Sequence, residues 1–179
     1  MPKKGEPGYD KLYNLRPVLN EISKNFMDCM APSRELAIDE SMNKFKGRST
    51  LKQYLPKKPI KRGYKVWMLA NKNGYCQKFE IYTGKSEDTE KNLGARVVKN
   101  LLKGMEEKHH VIYFDNYLTS VQLLEDLKTK NIHAFGTVNP SRRLLPNFKP
   151  DKLLKRGEPQ ISTSDTRLVA RQSKCSCFI

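Results

Sequence analysis

The chain has 179 residues, which is the length of about one ordinary domain. Its 34 Lys and Arg outnumber its 19 Asp and Glu, so the net charge of +15 excludes an acidic solvating chain and favours polyanionic partners. No apolar run approaches the roughly 18–20 residues that span a bilayer, and the His and Cys residues lack zinc-ligand spacing. We expect neither a membrane nor a small-molecule substrate among its partners.

The N-terminal part combines an aperiodic stretch with a helix. Residues 1–9 hold Pro, Gly and Lys without periodicity, which predicts a flexible lead-in. A helical pattern follows over about 11–29, with Pro17 in a first turn or at a break. Its apolar residues recur every three or four positions, at Leu12, Leu15, Val18, Leu19, Ile22 and Phe26.

An alternating segment over 35–40 predicts a short strand. Leu36 and Ile38 share one face of this strand, and Asp39 lies on the opposite face. The first strand therefore carries an acidic side chain. Glu40 points away from Asp39 if the strand continues, so we interpret Glu40 as a structural residue rather than a ligand.

A run of cations without any Asp or Glu extends over 44–65. Pro and Gly interrupt it, which predicts a loop for most of its length. We expect cations in such a run to contact phosphates of a polyanionic partner and to release counterions; the alternative is a solvated basic loop. Residues 57–62 also resemble a nuclear import signal. The cations that we expect to bind DNA are Lys44, Lys46, Arg48, Lys57, Lys58, Lys61 and Arg62.

A β-hairpin is predicted next. Residues 64–70 have the β-branched and aromatic content of a buried strand, with Trp67 in the core. The turn over 71–74 ends in Asn-Gly, which tolerates the positive φ angles of a tight hairpin. Residues 75–82 then return antiparallel.

The next segment predicts a helix followed by a buried parallel strand. Apolar residues of helical period begin at Leu93, and the helix is predicted to run out at Lys108–His109, so that His109 and His110 form a helix end. Residues 111–114 are a short continuous apolar run, as expected of a buried strand after a crossover helix. Asp115 stands at the C-terminal end of that strand.

The last predicted elements are one more helix and one or two strands. Thr119 or Ser120 caps the helix, Asn131 closes it, and a strand covers 132–138. Beyond Pro140 the pattern fades, although 166–172 is a further candidate strand. We therefore divide the chain into the lead-in, a core over 10–140, and a basic, poorly ordered segment over 141–179.

The order of these elements predicts an α/β fold with a mixed sheet and flanking helices. Asp39 and Asp115 would then lie on neighbouring strands in a ribonuclease-H-like arrangement. Carboxylates in that arrangement hold Mg²⁺ ions, which activate the attacking oxygen and stabilise the leaving oxygen. The alternative is that an Asp at a strand end is a turn residue or a helix cap.

Several motifs in order resemble the catalytic core of piggyBac-type transposases and their domesticated derivatives. The resemblance covers roughly residues 9–157. It is carried by the segments 38–48, 54–59, 63–65, 114–120 and 136–138.

This resemblance implies a ribonuclease-H-like fold and a nuclear protein that acts on DNA. It also implies DNA cleavage and strand transfer that depend on Mg²⁺ or Mn²⁺. Asp39 matches the first catalytic aspartate of the family and Asp115 matches the second.

The chain also departs from the family. The third catalytic aspartate of the family lies in a downstream segment of Gly-Gly-Val-Asp character that does not occur before Ile179, and Asp151 and Asp165 have a different context. We therefore expect a DDE/DDD-type core that is incomplete at the C-terminus and inactive alone. The alternatives are a domesticated module that binds DNA or protein without catalysis, and a remnant without selected function. A homodimer is left open.

Overall fold

The computed structural model describes residues 6, 9–84, 92–155, 158–173 and 176–179. Apart from Glu6 and Tyr9, the predicted lead-in over 1–9 lies outside the described residues. The chain forms two compact units. Unit one comprises Met1–Pro32 and Glu40–Lys91, and unit two comprises Ser33–Asp39 and Asn92–Ile179.

Unit one begins with the predicted helix. A 3-10 turn over Tyr13–Leu15 leads into α1, Arg16–Cys29, and Pro17 occupies its first turn, where the missing N–H costs no hydrogen bond. Phe26 of α1 packs edge-on against Tyr75 and Phe79, with ring centroids 6.1 and 6.0 Å apart. The Tyr75 hydroxyl donates a hydrogen bond of 3.0 Å to the Phe26 carbonyl. These contacts fix the apolar face of α1 on a β-hairpin.

The first four strands include the predicted hairpin, which is formed by the last two of them. Strand β1 covers Glu35–Lys44, β2 covers Gln53–Tyr54, β3 covers Arg62–Asn71 and β4 covers Cys76–Ile81. Strands β3 and β4 pair antiparallel across a turn in which Gly74 has a φ of 85°, a value that glycine adopts without strain. Trp67 and Leu69 of β3 are buried, which confirms the core position predicted for Trp67.

Gly63 permits a close approach of two strands in unit one. A Cβ atom at this position would lie 2.0 Å from the Asn43 carbonyl oxygen and 3.1 Å from the Cα atom of Lys44. Both neighbours are backbone atoms and neither can rotate away. The second half of β1 therefore pairs with β3 at a separation that only glycine allows.

Unit two contains the predicted parallel strands and two helices. Helix α2 covers Leu93–Leu102, β5 covers Val111–Phe114, α3 covers Val121–Lys128 and β6 covers His133–Gly136. The first half of β1 pairs in parallel with β5, and β5 pairs in parallel with β6. The hydrogen-bonded strand order is β2–β3–β1–β5–β6, with β4 on β3, so the sheet is mixed as expected.

Helix α2 ends earlier than the apolar pattern predicts. The prediction that it runs to Lys108–His109 is wrong, because Gly104 has a φ of 83° and Glu107 and His109 also adopt positive φ. Met105 follows the helix but is also buried, so the apolar pattern of the sequence continues beyond the end of the helix. His110 is not a helix end but a buried residue whose Nδ1 lies 2.9 Å from the Ser33 carbonyl oxygen. Within the described residues, no helix is long and apolar enough to cross a membrane.

Helix α3 begins where the sequence predicts and ends at Lys128, three residues before the predicted Asn131. The backbone N–H of Leu123 donates to the Ser120 hydroxyl at 3.3 Å, which makes Ser120 rather than Thr119 the cap. Asn131, with a φ of 54°, turns the chain towards β6.

The segment after residue 140 holds a second sheet. Strands β7, Gln160–Thr163, β8, Val169–Ser173, and β9, Ser176–Phe178, pair antiparallel in that order. The candidate strand over 166–172 corresponds to β8. The backbone of Ile179 exchanges two hydrogen bonds with Gly136, so the last residues extend along the edge of β6.

Candidate functional site

Asp39 and Asp115 occupy matching positions in unit two. The parallel ladder of β1 and β5 pairs Leu36 with Ile112 and Ile38 with Phe114, and the aspartates are the next residue on each chain. The apolar partners are buried whereas both aspartates are exposed, as the alternation of strand side chains requires. Neighbouring strands lie about 4.8 Å apart, so the register brings the two carboxyl groups to one edge of the sheet.

A turn fixes the carboxyl group of Asp115. Its Oδ1 accepts hydrogen bonds of 3.2 Å from the backbone N–H groups of Tyr117 and Leu118. Its carbonyl oxygen accepts the Thr119 hydroxyl at 2.7 Å. The structural interpretation of a strand-end Asp as a turn residue is therefore correct for Oδ1. Within the described chain no hydrogen bond goes to Oδ2, which remains available to a ligand.

Gly136 of β6 leaves room for this turn. A Cβ atom there would lie 2.4 Å from the Thr119 hydroxyl oxygen and 2.8 Å from the Phe114 carbonyl oxygen. Thr119 is fully buried, so its hydroxyl has no space to withdraw. The close approach of β6 thus holds the turn that positions Asp115.

The two aspartates fit part of a divalent-metal site. Carboxylate oxygens are hard ligands, and Mg²⁺ is commonly bound by one or two carboxylates with water in its other positions. Among the residues that the structure describes, no three His, Cys, Asp or Glu side chains come together as a metal site. Asp39 and Asp115 thus offer two ligands of the right chemistry.

Glu40 has a structural role, in agreement with the sequence interpretation. Its carboxylate oxygens lie 3.0 Å from the Lys58 Nζ and 2.5 Å from the Lys65 Nζ. Burial alone would raise the pKa of Glu40, but the hydrogen bonds and charges of Lys65 and Lys58 outweigh it and hold the pKa below its usual value. Glu40 therefore stays ionised and compensates two cations of the basic run.

The basic run separates into paired and unpaired cations. Lys58, one of the predicted DNA contacts, is held by Glu40. Other predicted contacts line a groove of about 550 Å³ in unit one; these are Lys44, Lys46, Lys61 and Arg62. Arg48 and Lys57 are exposed but do not line this groove. The groove therefore collects cations that no described carboxylate neutralises.

Sequence reasoning missed an aromatic residue of this groove. Tyr54 pairs in register with Arg62 across β2 and β3, and the Arg62 guanidinium lies 5.2 Å from the centre of the Tyr54 ring. Lys52, also in the groove, donates to the Gly47 carbonyl at 2.7 Å. An aromatic residue among cations is a sequence signal for nucleic-acid contact. A count of charges identifies the cations but not the tyrosine between them.

Comparison with known proteins shows similarity to transposases. The family model described as Transposase IS4 matches residues 1–176. The chain is 32% identical over 155 residues to the human PiggyBac transposable element-derived protein 3, covering 83% of this chain and 26% of that protein. It is 31% identical over 174 residues to the human PiggyBac transposable element-derived protein 2, covering 90% of this chain and 29% of that protein.

A solved structure shares the fold. The chain matches a piggyBac transposase, determined as a synaptic complex with hairpin DNA, with a TM-score of 0.81 and 24% identity, covering 94% of this chain and 37% of that chain. This match confirms the predicted ribonuclease-H-like mixed sheet with flanking helices. The chain spans little more than a quarter of the length of each of these two human relatives.

Proposed function

We propose that this chain binds DNA and holds a divalent cation between Asp39 and Asp115. The chain belongs to the Transposase IS4 family and is a piggyBac transposase-derived protein. In this proposal the chain does not complete DNA cleavage by itself. The observation that carries the proposal is the register of β1 and β5, in which the exposed Asp39 and Asp115 each follow the last ladder pair, Ile38 and Phe114.

The charge distribution supports DNA as the partner. The net charge is +15, and the groove in unit one is lined by five cations and, among the described residues that line it, by no acid. Each phosphate that a Lys or Arg neutralises releases condensed counterions, so binding of this kind weakens steeply as salt rises. The cations that we expect to contribute most directly are exposed and line the groove; these are Lys44, Lys46, Lys61 and Arg62.

The chemistry of the carboxylates supports Mg²⁺ or Mn²⁺ as the cation. Asp115 would offer Oδ2, since its Oδ1 is held by the turn at Tyr117 and Leu118. Asp39 would approach the same ion from the neighbouring strand. A bound divalent cation supplies a Lewis acid for a phosphoryl oxygen and lowers the pKa of its bound water. The two carboxylates at one edge of the sheet would hold the ion.

A second candidate function is DNA or protein binding without any catalysis. It is favoured by one observation, that within the described residues no third metal-ligating side chain joins the two aspartates. Catalysis of in-line displacement at phosphorus commonly uses two ions about 3.5–4 Å apart, and two carboxylates alone are a sparse ligand set for both.

Location in the nucleus is a further part of the proposal. The cluster over 57–62 contains four cations, as short basic import signals do. A fluorescent fusion of the whole chain tests this proposal directly. We expect nuclear fluorescence that is lost in the Lys61→Gln/Arg62→Gln double variant. Uniform cytoplasmic fluorescence of the parent would contradict the proposed nuclear location.

One pair of assays tests the proposed function. DNA binding is measured by anisotropy with a labelled duplex at several salt concentrations, and nicking is measured on supercoiled plasmid with Mn²⁺. We expect salt-dependent binding that Asp39→Ala and Asp115→Ala both retain, and no nicking by the parent. Mn²⁺-dependent nicking that both changes abolish would show a complete enzyme instead. Sedimentation of the same samples, with and without DNA, tests the homodimer.

A further inference from the structure

We infer that the groove in unit one contains a subsite for an unstacked nucleobase, in which Tyr54 stacks on the base and the surrounding cations contact the adjoining phosphates. The inference rests on the proposed DNA binding and deepens it. It assigns single-stranded or base-extruded DNA, rather than regular duplex, as the DNA form that this groove prefers.

The Tyr54 ring is exposed and yet held in place. Its residue is 59% exposed, on a strand of only two residues. The register sets Tyr54 opposite Arg62, whose guanidinium lies 5.2 Å from the ring centre and restrains the ring through a cation–π contact. The loop behind them is closed by a hydrogen bond of 2.9 Å from the Leu55 N–H to the Lys61 carbonyl. An exposed, preordered ring loses little rotamer freedom when a base stacks on it.

The cations beside Tyr54 are arranged for phosphates. Lys44 is the last residue of β1 and Lys46 follows it, whereas Arg62 is the first residue of β3 and Lys61 precedes it. All four line the groove with Tyr54. The Glu40 carboxylate instead engages Lys58 and Lys65, neither of which lines the groove. The groove cations therefore place positive charge around Tyr54, and Glu40 pairs with cations outside the groove.

The position of the ring among these cations favours an unstacked base. In a duplex the base faces are covered by neighbouring bases, and a protein reaches only base edges and the backbone. An aromatic ring can contact a base face only where the base is single-stranded, frayed or turned out of the helix. The groove volume of about 550 Å³ lies within the range of sites that take one small organic group. Tyr54 thus has a partner in unpaired DNA that duplex DNA does not offer.

The structural alternative is that Tyr54 only shields Arg62 at a sheet edge. Single exposed aromatic side chains are common on protein surfaces and need no ligand. The alternative predicts that loss of the ring changes stability slightly and changes binding of single-stranded and duplex DNA alike. The two interpretations therefore predict different effects of Tyr54→Ala on the ratio of single-strand affinity to duplex affinity.

The test compares a 12-nucleotide single strand with a blunt duplex of the same sequence, using the whole chain and fluorescence anisotropy at one salt concentration. We expect Tyr54→Ala to weaken single-strand binding by about 5- to 150-fold, the range found for base–aromatic stacking. Duplex binding should change less than about twofold. Tyr54→Phe keeps the ring and should bind both DNAs as the parent does. Tyr13→Ala removes an exposed tyrosine outside the groove and serves as the matched control.

A second readout reports stacking itself. A single strand with one 2-aminopurine should lose fluorescence on binding the parent and Tyr54→Phe, and lose less on binding Tyr54→Leu, which keeps an apolar side chain without a ring. Equal effects of Tyr54→Ala on single strand and duplex, or no effect on either, would overturn the subsite while leaving salt-dependent DNA binding intact. Absence of binding of either DNA by the folded parent would overturn the proposed function as well.

Discussion

Asp39 and Asp115 each stand one residue beyond the ladder pair Ile38 and Phe114, so the parallel register of β1 and β5 alone sets them side by side. They are 76 positions apart in the sequence, and helix α2 lies between them in the chain. Burial of the apolar partners fixes that register, because a slip of one residue would turn the apolar side chains outward and the acids inward. Two exposed carboxylates are thus positioned by the core beneath them.

Asp115 has a structural role that can be separated from metal binding. Replacement by Ala removes the acceptor for the Tyr117 and Leu118 N–H groups, and we expect a loss of about 0.5–2 kcal/mol of unfolding free energy, as for lost helix caps. Asp115→Asn keeps an acceptor oxygen and should be close to the parent in stability. Urea unfolding of the three proteins measures the difference, and equal losses for Ala and Asn would contradict this role for Oδ1.

Gly63 should tolerate no side chain. The Cβ atom of Gly63→Ala would meet the Asn43 carbonyl at 2.0 Å, and we expect a loss of about 3 kcal/mol, the upper end of the usual range for overpacking, because the backbone must move. Gly74→Ala is the matched control. A Cβ atom there meets nothing within 4 Å, and only its φ of 85° costs about 1–2 kcal/mol. The order of the two losses, measured by urea unfolding, should not reverse.

The ion pairs of Glu40 should make stability depend on pH. Its pKa is lower in the folded chain than the ordinary 4.5, so its contribution is present above that value and is lost as pH falls through the lowered pKa. The parent should therefore exceed Glu40→Gln in unfolding free energy at pH 7, and this advantage should shrink below pH 4.5. An advantage that stays constant or grows on acidification would show that the carboxylate charge is not what matters.

The basic run should contribute unevenly to DNA binding. Each phosphate contact adds about 0.9 to the slope of log K against log salt for duplex DNA, so Lys61→Gln should lower that slope by about this amount. Lys58→Gln should lower it less, because Glu40 already holds Lys58. Lys24→Gln on the exposed side of α1 is the control, with no expected change. A larger effect of Lys58 than of Lys61 would contradict the division of the run.

The sequence alone predicted the elements whose signal is local. The alternation at Leu36 and Ile38, the Asn-Gly turn before β4 and the continuous apolar run of β5 each identify an element without reference to the rest of the chain. The end of α2 was mispredicted because Met105 is buried by tertiary packing although the helix has already ended at Leu102. The division of the chain at residue 140 stays a prediction.

The site was predictable only in part. Asp39 stands out as an acid on the polar face of an alternating strand, and Asp115 stands out as an acid directly after a continuous apolar run. The pairing of Glu40 with Lys58 and Lys65, and of Tyr54 with Arg62, depends on how β1 and β2 pair with β3, which composition does not encode. Without those pairings, the paired and unpaired cations of the run over 44–65 cannot be told apart.

A calorimetric titration with Mn²⁺ tests the metal site most directly. The parent, Asp39→Asn and Asp115→Asn are compared, because Asn keeps the size of the side chain and, at position 115, the hydrogen bonds of the turn. We predict binding by the parent that each substitution abolishes or weakens at least about tenfold, since each removes a charged ligand. No binding by the folded parent, or equal binding by all three proteins, would contradict a divalent-cation site between Asp39 and Asp115.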